Sequence, residues 1–372
     1  VMFLHISDTH LGKRPYGKTE REGDIYDSFK QLVDIAINER VSFVIHSGDF
    51  FDVYEPSAMA YTVAIENLKR LKEANIPFFV IPGNHDLATI RGKGLPLRVL
   101  EVVGLVKVLD GKEKTSVFSG INIYGIKYSP TREAFVSEVK GIVPSGKSVL
   151  MIHQGLKEYL PFNGSYQIEE SELPKGFTYY ALGHVHTRKY KRFNDGSLLA
   201  LPSSPDILDV REIEDYRKNG KGGFLVDLSK DEPYIQQVNV DVREQLLIWV
   251  RKENIKSEID KELASVSSKK LPLIHLILHG EPIEPKLLTS VMKQFSDRIY
   301  WWRVEKDETE ISKDIKLFGD TSQENVTSLT RKYLLAQGYT EEESNAIIDL
   351  IESAEDEEES YAKLKRFLGI QK

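Results

Sequence analysis

The 372-residue sequence contains no cysteine. Disulfides and thiolate ligands are therefore excluded, and any metal must be held by His, Asp, Glu or Asn, a mixed N/O donor set that suits manganese, iron or zinc. Long apolar runs are also missing, since no window approaches the roughly 18 residues of a membrane span. The start, Val1-Met2-Phe3-Leu4-His5, lacks the charged region and cleavage site of a secretion signal, so a cytoplasmic location with no membrane partner is expected. Nor is there an excess of basic charge. Against 57 Asp and Glu stand 50 Lys and Arg, and the formal net charge of −7 argues against a uniformly basic nucleic-acid binder. With 41% hydrophobic and 29% charged residues the chain is globular, and its length allows two or three cores.

Net charge hides local distribution. Acid concentrates in Glu355-Asp356-Glu357-Glu358-Glu359, whereas basic residues cluster after apolar runs: Lys13, Arg14, Lys18 and Arg21, then Arg91 and Lys93, then Arg188, Lys189, Lys191 and Arg192. Any one of these reads most simply as solvated surface. Together they favour a polyanionic substrate.

Met2 to Ser7 reads as a buried strand, and Asp24 through Arg40 as an amphipathic helix with Ile25, Phe29, Leu32, Val33, Ala36 and Ile37 at helical spacing. Val41–His46 is a second strand, Ser57 caps a second helix, and Pro77–Ile81 is a third strand. This alternation predicts a mostly parallel sheet covered by helices, with ligands beyond the strands' carboxyl ends. From Val106 shorter runs follow without long helices between them: Val106–Leu109, Val117–Phe118, Ile121–Ile126, Ser148–Ile152, Tyr179–Leu182, Leu198–Leu201 and Gly223–Leu228. We read all of them as a second sheet packed on the first, an α/β two-sheet sandwich flanked by helices. A β-α-β-α-β module follows, in which His275 and His279 read as structural. Beyond a charged linker lie helices around Asn325–Gln337, from Thr340 with the capping pattern Thr340-x-x-Glu343, and over Tyr361–Leu368. Their stripes carry Leu329, Tyr333, Leu334, Ile347, Leu350, Ile351, Leu364 and Phe367, more apolar surface than about fifty residues can bury among themselves, so a docking partner is expected.

Chemistry concentrates where the strands end. Asp8-x-His10, Gly48-Asp49, Gly83-Asn84-His85-Asp86, His153 and Gly183-His184-Val185-His186 each follow an apolar run. In an extended segment, residues i and i+2 point the same way, so His184 and His186 can face one cluster. A carboxylate such as Asp49 can bridge two cations roughly 3.5–4 Å apart. One such group alone is usually incidental, but five in this order are not.

This motif series resembles that of the calcineurin-like metallophosphoesterases over about residues 2–230. Ser7-Asp8-Thr9-His10-Leu11-Gly12, His46-Ser47-Gly48-Asp49 and Tyr180-Ala181-Leu182-Gly183-His184-Val185-His186 are similar to the meiotic-recombination-eleven/SbcD nucleases of double-strand-break repair, with an archaeal member implied. The resemblance implies a metallophosphoesterase nuclease domain at 1–240, a small α+β DNA-capping domain at 241–305, a linker at 306–322 and a C-terminal helical segment at 323–372. That segment would bind the coiled coil of an SMC-like ABC ATPase of Rad-fifty/SbcC type through the eight apolar residues named above. It also implies two manganese ions per subunit. Asp8, His10 and His186 would hold one and Asn84, His153 and His184 the other, with Asp49 bridging. His85 would position the phosphate or protonate the departing sugar oxygen, and Asp86 would support an imidazole. The implied substrates are double- and single-stranded DNA, with Lys13, Arg14, Lys18, Arg91, Lys93, Arg188 and Lys189 as DNA-binding candidates. A homodimer would form through the Ser57–Ala74 helix and Leu95–Leu100. Many relatives carry a histidine where Asp52 stands, and Asp52 either orients a ligand or faces water. His5 and His46 read as packed core residues. The competing readings are a phosphoesterase for small substrates and a non-enzymatic scaffold, the latter disfavoured because every ligand position is filled.

Overall fold

The structure, a computed structural model, describes residues 1–111, 115–160, 164–310 and 326–352. Tertiary contacts divide it into two units, the first comprising Val1–Leu278 with Ile283–Asp307.

The first half of this unit alternates strand and helix: β1 (Met2–Ile6), α1 (Thr19–Asn38), β2 (Phe43–His46), α2 (Ala58–Glu73), β3 (Phe78–Val80), α3 (Pro96–Val102) and β4 (Lys107–Val108). β1 to β4 pair in parallel in that order. Strand alternation explains the layers. Phe3, Phe43, Ile45 and Phe79 point into the sandwich, while Leu4, Ile6, Val44 and Val80 point out against α1 and α2. Each large apolar side chain so buried contributes roughly 1.5–3 kcal/mol. α1 starts five residues before the expected Asp24, because Arg21 and Asp24 are drawn inward as an ion pair at 2.8 Å.

The second sheet is built from β5 (Thr115–Phe118), β6 (Ile121–Gly125), β7 (Ser148–His153), β8 (Tyr179–Gly183), β9 (Lys189–Arg192) and β10 (Leu198–Leu201), in the order β5-β6-β7-β8-β10-β9; α4 (Arg132–Val139) lies between β6 and β7. Two runs expected in it belong elsewhere. β4 closes the first sheet beside β3, and β11 (Gly222–Asp227), which follows α5 (Ile213–Asn219), pairs antiparallel with β1 and carries β12 (Tyr234–Asn239) on its outer edge. An apolar run shows that a strand is buried without showing which neighbour completes its hydrogen bonds. In the parallel parts of both sheets, the carboxyl ends of β1, β2, β3, β7 and β8 reach the same rim.

The module β13 (Gln245–Val250), α6 (Ile255–Leu263), β14 (Leu273–Gly280), α7 (Pro285–Lys293) and β15 (Trp301–Thr309) forms a three-stranded sheet with its own core of Leu246, Ile248, Ile259, Ile274, Leu276 and Met292. β15 runs on to Thr309, so the first four residues expected as linker are strand.

The second unit takes in His279–Pro282 and the chain from Glu308. Its described helices are α8 (Val326–Ala336) and α9 (Glu341–Glu352). The expected capping box forms: Glu343 N–H donates to Thr340 Oγ1 at 3.2 Å and Thr340 N–H to Glu343 Oε2 at 2.7 Å. Leu334 is buried, Tyr333 is exposed and Ile347 is half-buried. The side chains of Leu329, Leu350 and Ile351 lie outside the described residues, as do Leu364 and Phe367.

Candidate metal centre

Five loops meet at the common rim. Asp8 N–H donates to Gly48 O and His10 N–H to Asp49 O, both at 3.0 Å, so the loops after β1 and β2 brace each other. Gly48 takes φ +96°, and a side chain there would strike His153. Asp8, His10, Asp49 and His184 adopt positive φ as well. Neither candidate pair, Asp8 with His10 or His184 with His186, is therefore presented by an extended strand. β1 stops at Ile6 and β8 at Gly183, and the left-handed turn at His184 sends its ring and that of His186 to different places.

Around one position stand Asp8, His10, Asp49 and His186. His10 Nε2 lies 3.6 Å from Asp49 Oδ2 and 3.9 Å from Asp8 Oδ1, and His186 Nε2 lies 3.4 Å from Asp8 Oδ1. Around a second stand Asp49, Asn84, His153 and His184. Asn84 Oδ1 is 3.1 Å from His153 Nε2 and 3.2 Å from His184 Nδ1, and Asp49 Oδ2 is 3.2 Å from His153 Nε2. The carbonyl of Ser47 can only accept, so at 2.7 Å it fixes the His153 proton on Nδ1 and leaves Nε2 facing the donors. Donor atoms of Asp8, His10 and His186 all fall within 4.8 Å of one another, as do those of Asp8, Asp49 and His153 and those of His10, Asp52 and His85.

These residues fit a pair of divalent cations. His10 Nε2 is buried, has no hydrogen-bond partner and faces two carboxylates, which is the environment of a ligand atom. The electrostatics agree. Burial would lower the His153 pKa, but Asp49 raises it to about 9; burial likewise opposes His186, which Asp8 and Glu212 raise to about 10. Burial and His153 lower His184 to about 4. Despite burial, His186 and His153 hold Asp8 down to about 2, and His153 and His10 hold Asp49 well below the usual carboxylate range. The pocket thus collects positive charge, and a bound metal would take the place of those ring protons.

His85 sits differently. Its Nδ1–H donates to Asp52 O at 2.7 Å, its ring meets His10 edge-on at 4.8 Å, and its side chain is 41% exposed. The lone pair of Nε2 is left on the opposite side of the ring. Asp52 is only 19% exposed and places Oδ1 3.1 Å from His10 Nδ1, so of its two readings the structure gives contact with a candidate ligand. Among the described residues, the hydrogen-bond partners of Asp86 are backbone amides and not the imidazole expected. Asp86 is fully buried, and its carboxylate accepts the amides of Gly83, Phe50 and Phe51, tying the loops after β2 and β3 together.

The basic candidates divide. Arg91 is exposed; Lys93 pairs with Glu55, Arg14 with Glu22, and Lys13 approaches Asp52 at 3.7 Å. Lys18 lies over Trp301 and Lys189 over Tyr159. Arg188 must be corrected: it is 2% exposed, its two terminal nitrogens donate to Asn219 O, Asn239 Oδ1, Gly223 O and Val238 O, and its Nε is buried, so the guanidinium is not presented to a phosphate. Arg21, buried between Asp24 and Asp206, is likewise structural. His5 bonds Tyr179 and Ser47, and His46 bonds Thr9 and Gly48, as expected of core histidines. Sequence reasoning missed Glu212 beside His186, and Tyr128, whose ring stacks on His184 at 5.8 Å. Neither lies in a motif, and only folding brings them to the rim.

Residues 1–188 match the family model described as calcineurin-like phosphoesterase. The chain is 42% identical over 379 residues to the DNA double-strand break repair protein Mre11 of Saccharolobus solfataricus, covering 100% of this chain and 99% of that one. It is 42% identical over 381 residues to the Mre11 protein of Sulfurisphaera tokodaii, covering 100% and 98%, and 40% identical over 381 residues to that of Sulfolobus acidocaldarius, covering 100% of both. Rim geometry and whole-length similarity agree, and the chain belongs to the calcineurin-like phosphoesterases and, within them, to the Mre11 family.

Proposed function

We propose that this metal-dependent phosphodiester hydrolase is a manganese nuclease that processes DNA ends in double-strand-break repair, as a 3′-to-5′ exonuclease on duplex and an endonuclease on single strands. The observation that carries the reading is the meeting of seven donors and one exposed histidine at a single rim, in a chain similar over its whole length to break-repair proteins. Asp8, His10, Asp49 and His186 would hold one ion and Asp49, Asn84, His153 and His184 the other. Bound there, the ions would supply a nucleophilic hydroxide and Lewis-acid neutralisation of phosphate charge. The protein's own contribution is positional. Asp52 O fixes one proton of His85 on Nδ1, so a second proton, once taken up by the ring, sits on Nε2, the atom that would meet the phosphate or protonate the departing sugar oxygen. Asp86 holds the loops that carry Asp49 and His85 in register.

The wider assembly belongs to the same proposal. The module at 241–305 would cap DNA, the segment at 323–372 would dock on the coiled coil of an SMC-like ABC ATPase, and α2 with the Leu95–Leu100 stretch would form a homodimer interface. We expect manganese-dependent degradation of end-labelled duplex DNA, lowered about 10²- to 10⁴-fold in His85→Ala while bound metal is retained. A wild type that binds two ions yet leaves every DNA substrate intact would redirect the proposal to small phosphoesters.

A further inference from the structure

Behind His186 lies a polar cluster that no sequence motif announces. Lys221, wholly buried, donates from Nζ to Glu212 Oε1 at 2.6 Å, to Ser203 Oγ at 2.9 Å and to Ser204 Oγ at 3.0 Å, so each ammonium proton has a partner. Glu212 presents the same Oε1 to His186 Nδ1 at 3.5 Å, and its Oε2 accepts the Leu208 amide at 3.1 Å. Ser203 holds a left-handed φ of 69° and donates to the His186 carbonyl at 2.8 Å. Lys221 therefore reaches His186 twice, at the ring through Glu212 and at the backbone through Ser203. The loop carrying these groups is itself anchored, since Ile207 O accepts from Arg21 at 2.8 Å and from Gln245 at 2.9 Å.

A buried ion pair is a weak source of stability, because apolar residues of like volume usually serve as well. Its contacts give this one a different role. We propose that Lys221, Glu212 and Ser203 form a clamp that positions His186, holding Nδ1–H toward Glu212 and so presenting Nε2 beside Asp8 to the first metal. The proposal rests on the reading of His186 as a metal ligand. Glu212 and Lys221 touch no substrate; they are positioning residues that select the ring's tautomer and direction.

The test uses the full chain, stripped of metal and titrated with Mn²⁺ by calorimetry and electron paramagnetic resonance. Glu212→Gln keeps the shape of the side chain, and Glu212→Gln with Lys221→Met removes both buried charges so that neither is left alone. With circular dichroism and metal-free melting close to wild type, we expect one of the two manganese sites to weaken about 10- to 100-fold and the other to keep its affinity. The spectrum then changes from that of a coupled pair to the six lines of an isolated ion at metal levels that fill both sites in the wild type. His186→Ala, run in parallel, loses the same site. Two wild-type affinities in folded Glu212→Gln overturn the clamp, and so does equal weakening of both sites with a lowered melting point, which marks packing alone. If His186→Ala keeps both sites, the ligand reading has failed and the clamp falls with it, an outcome separate from failure of the Glu212 variants.

Discussion

At Asp8, His10, Asp49 and His184 the backbone takes φ values of 53°, 44°, 56° and 80°. A residue with a side chain adopts this region at a cost of about 1–3 kcal/mol, least for Asp, Asn and His. Four of the candidate ligands accept that strain together because the turn aims each donor back over the strand end. The strain must be held by the surroundings, and Asp86 is one holder. Its carboxylate serves three buried amides and is pushed up to about 7 by burial and by the charge of Asp49. Asp86→Asn turns an N–H₂ group toward amide donors, so we expect a loss of about 1–3 kcal/mol, read as a melting point several degrees lower in the metal-free chain. An unchanged melting point would mean that the loops keep their register without it. Asp86 was legible in the sequence only as a neighbour of His85; that it grips backbone instead of an imidazole depends on two loops distant in sequence.

Among the elements, β14 offers a second measurable consequence. His275 is buried on it, and its Nε2–H donates at 2.7 Å to Gln245 Oε1, since the Gln245 amide is already given to Ile207 O. Burial, with Arg303 and Arg21 nearby, lowers its pKa to about 4 from 6.5. The unfolded chain gains this proton as pH falls below about 6.5, whereas the folded chain refuses it until about 4, so the contribution is intact at neutral pH and lost across that window. The melting point of the wild type should fall more between pH 7 and pH 5 than that of His275→Gln; equal falls would assign the acid sensitivity to other groups. At this scale the sequence was informative about strands and helices and silent about partners. The apolar run of β11 predicts burial, but its antiparallel place beside β1 follows from chain reversal after α5.

For the whole molecule, the exposed apolar residues are the guide. Met59 on α2 and Val99, Val102 and Val103 in and after α3 are 57%, 49%, 80% and 53% exposed. They lie on or beside the elements proposed for the dimer interface. Val99→Asp with Val102→Asp should convert a dimer to a monomer in sedimentation at micromolar concentration. A variant that stays dimeric would move the interface elsewhere, and a wild type that is monomeric would remove it. The C-terminal proposal has its own reading: removal of residues 320–372 should abolish binding to the ATPase coiled coil, and undiminished affinity would contradict it.

The gathering of the candidate donors was written in the sequence, because donor residues at strand ends announce themselves by type and position and a parallel sheet gathers its carboxyl ends on one rim. Absence of cysteine had already limited any metal to nitrogen and oxygen. Tertiary structure decided what contact alone can decide: that β4 and β11 complete the first sheet, that Arg188 is held inside the fold, that Asp52 turns to His10, and that Lys221 and Glu212 stand behind His186. Each depends on a partner far along the chain, and local periodicity carries no information about which distant segment will satisfy a buried charge or a strand edge.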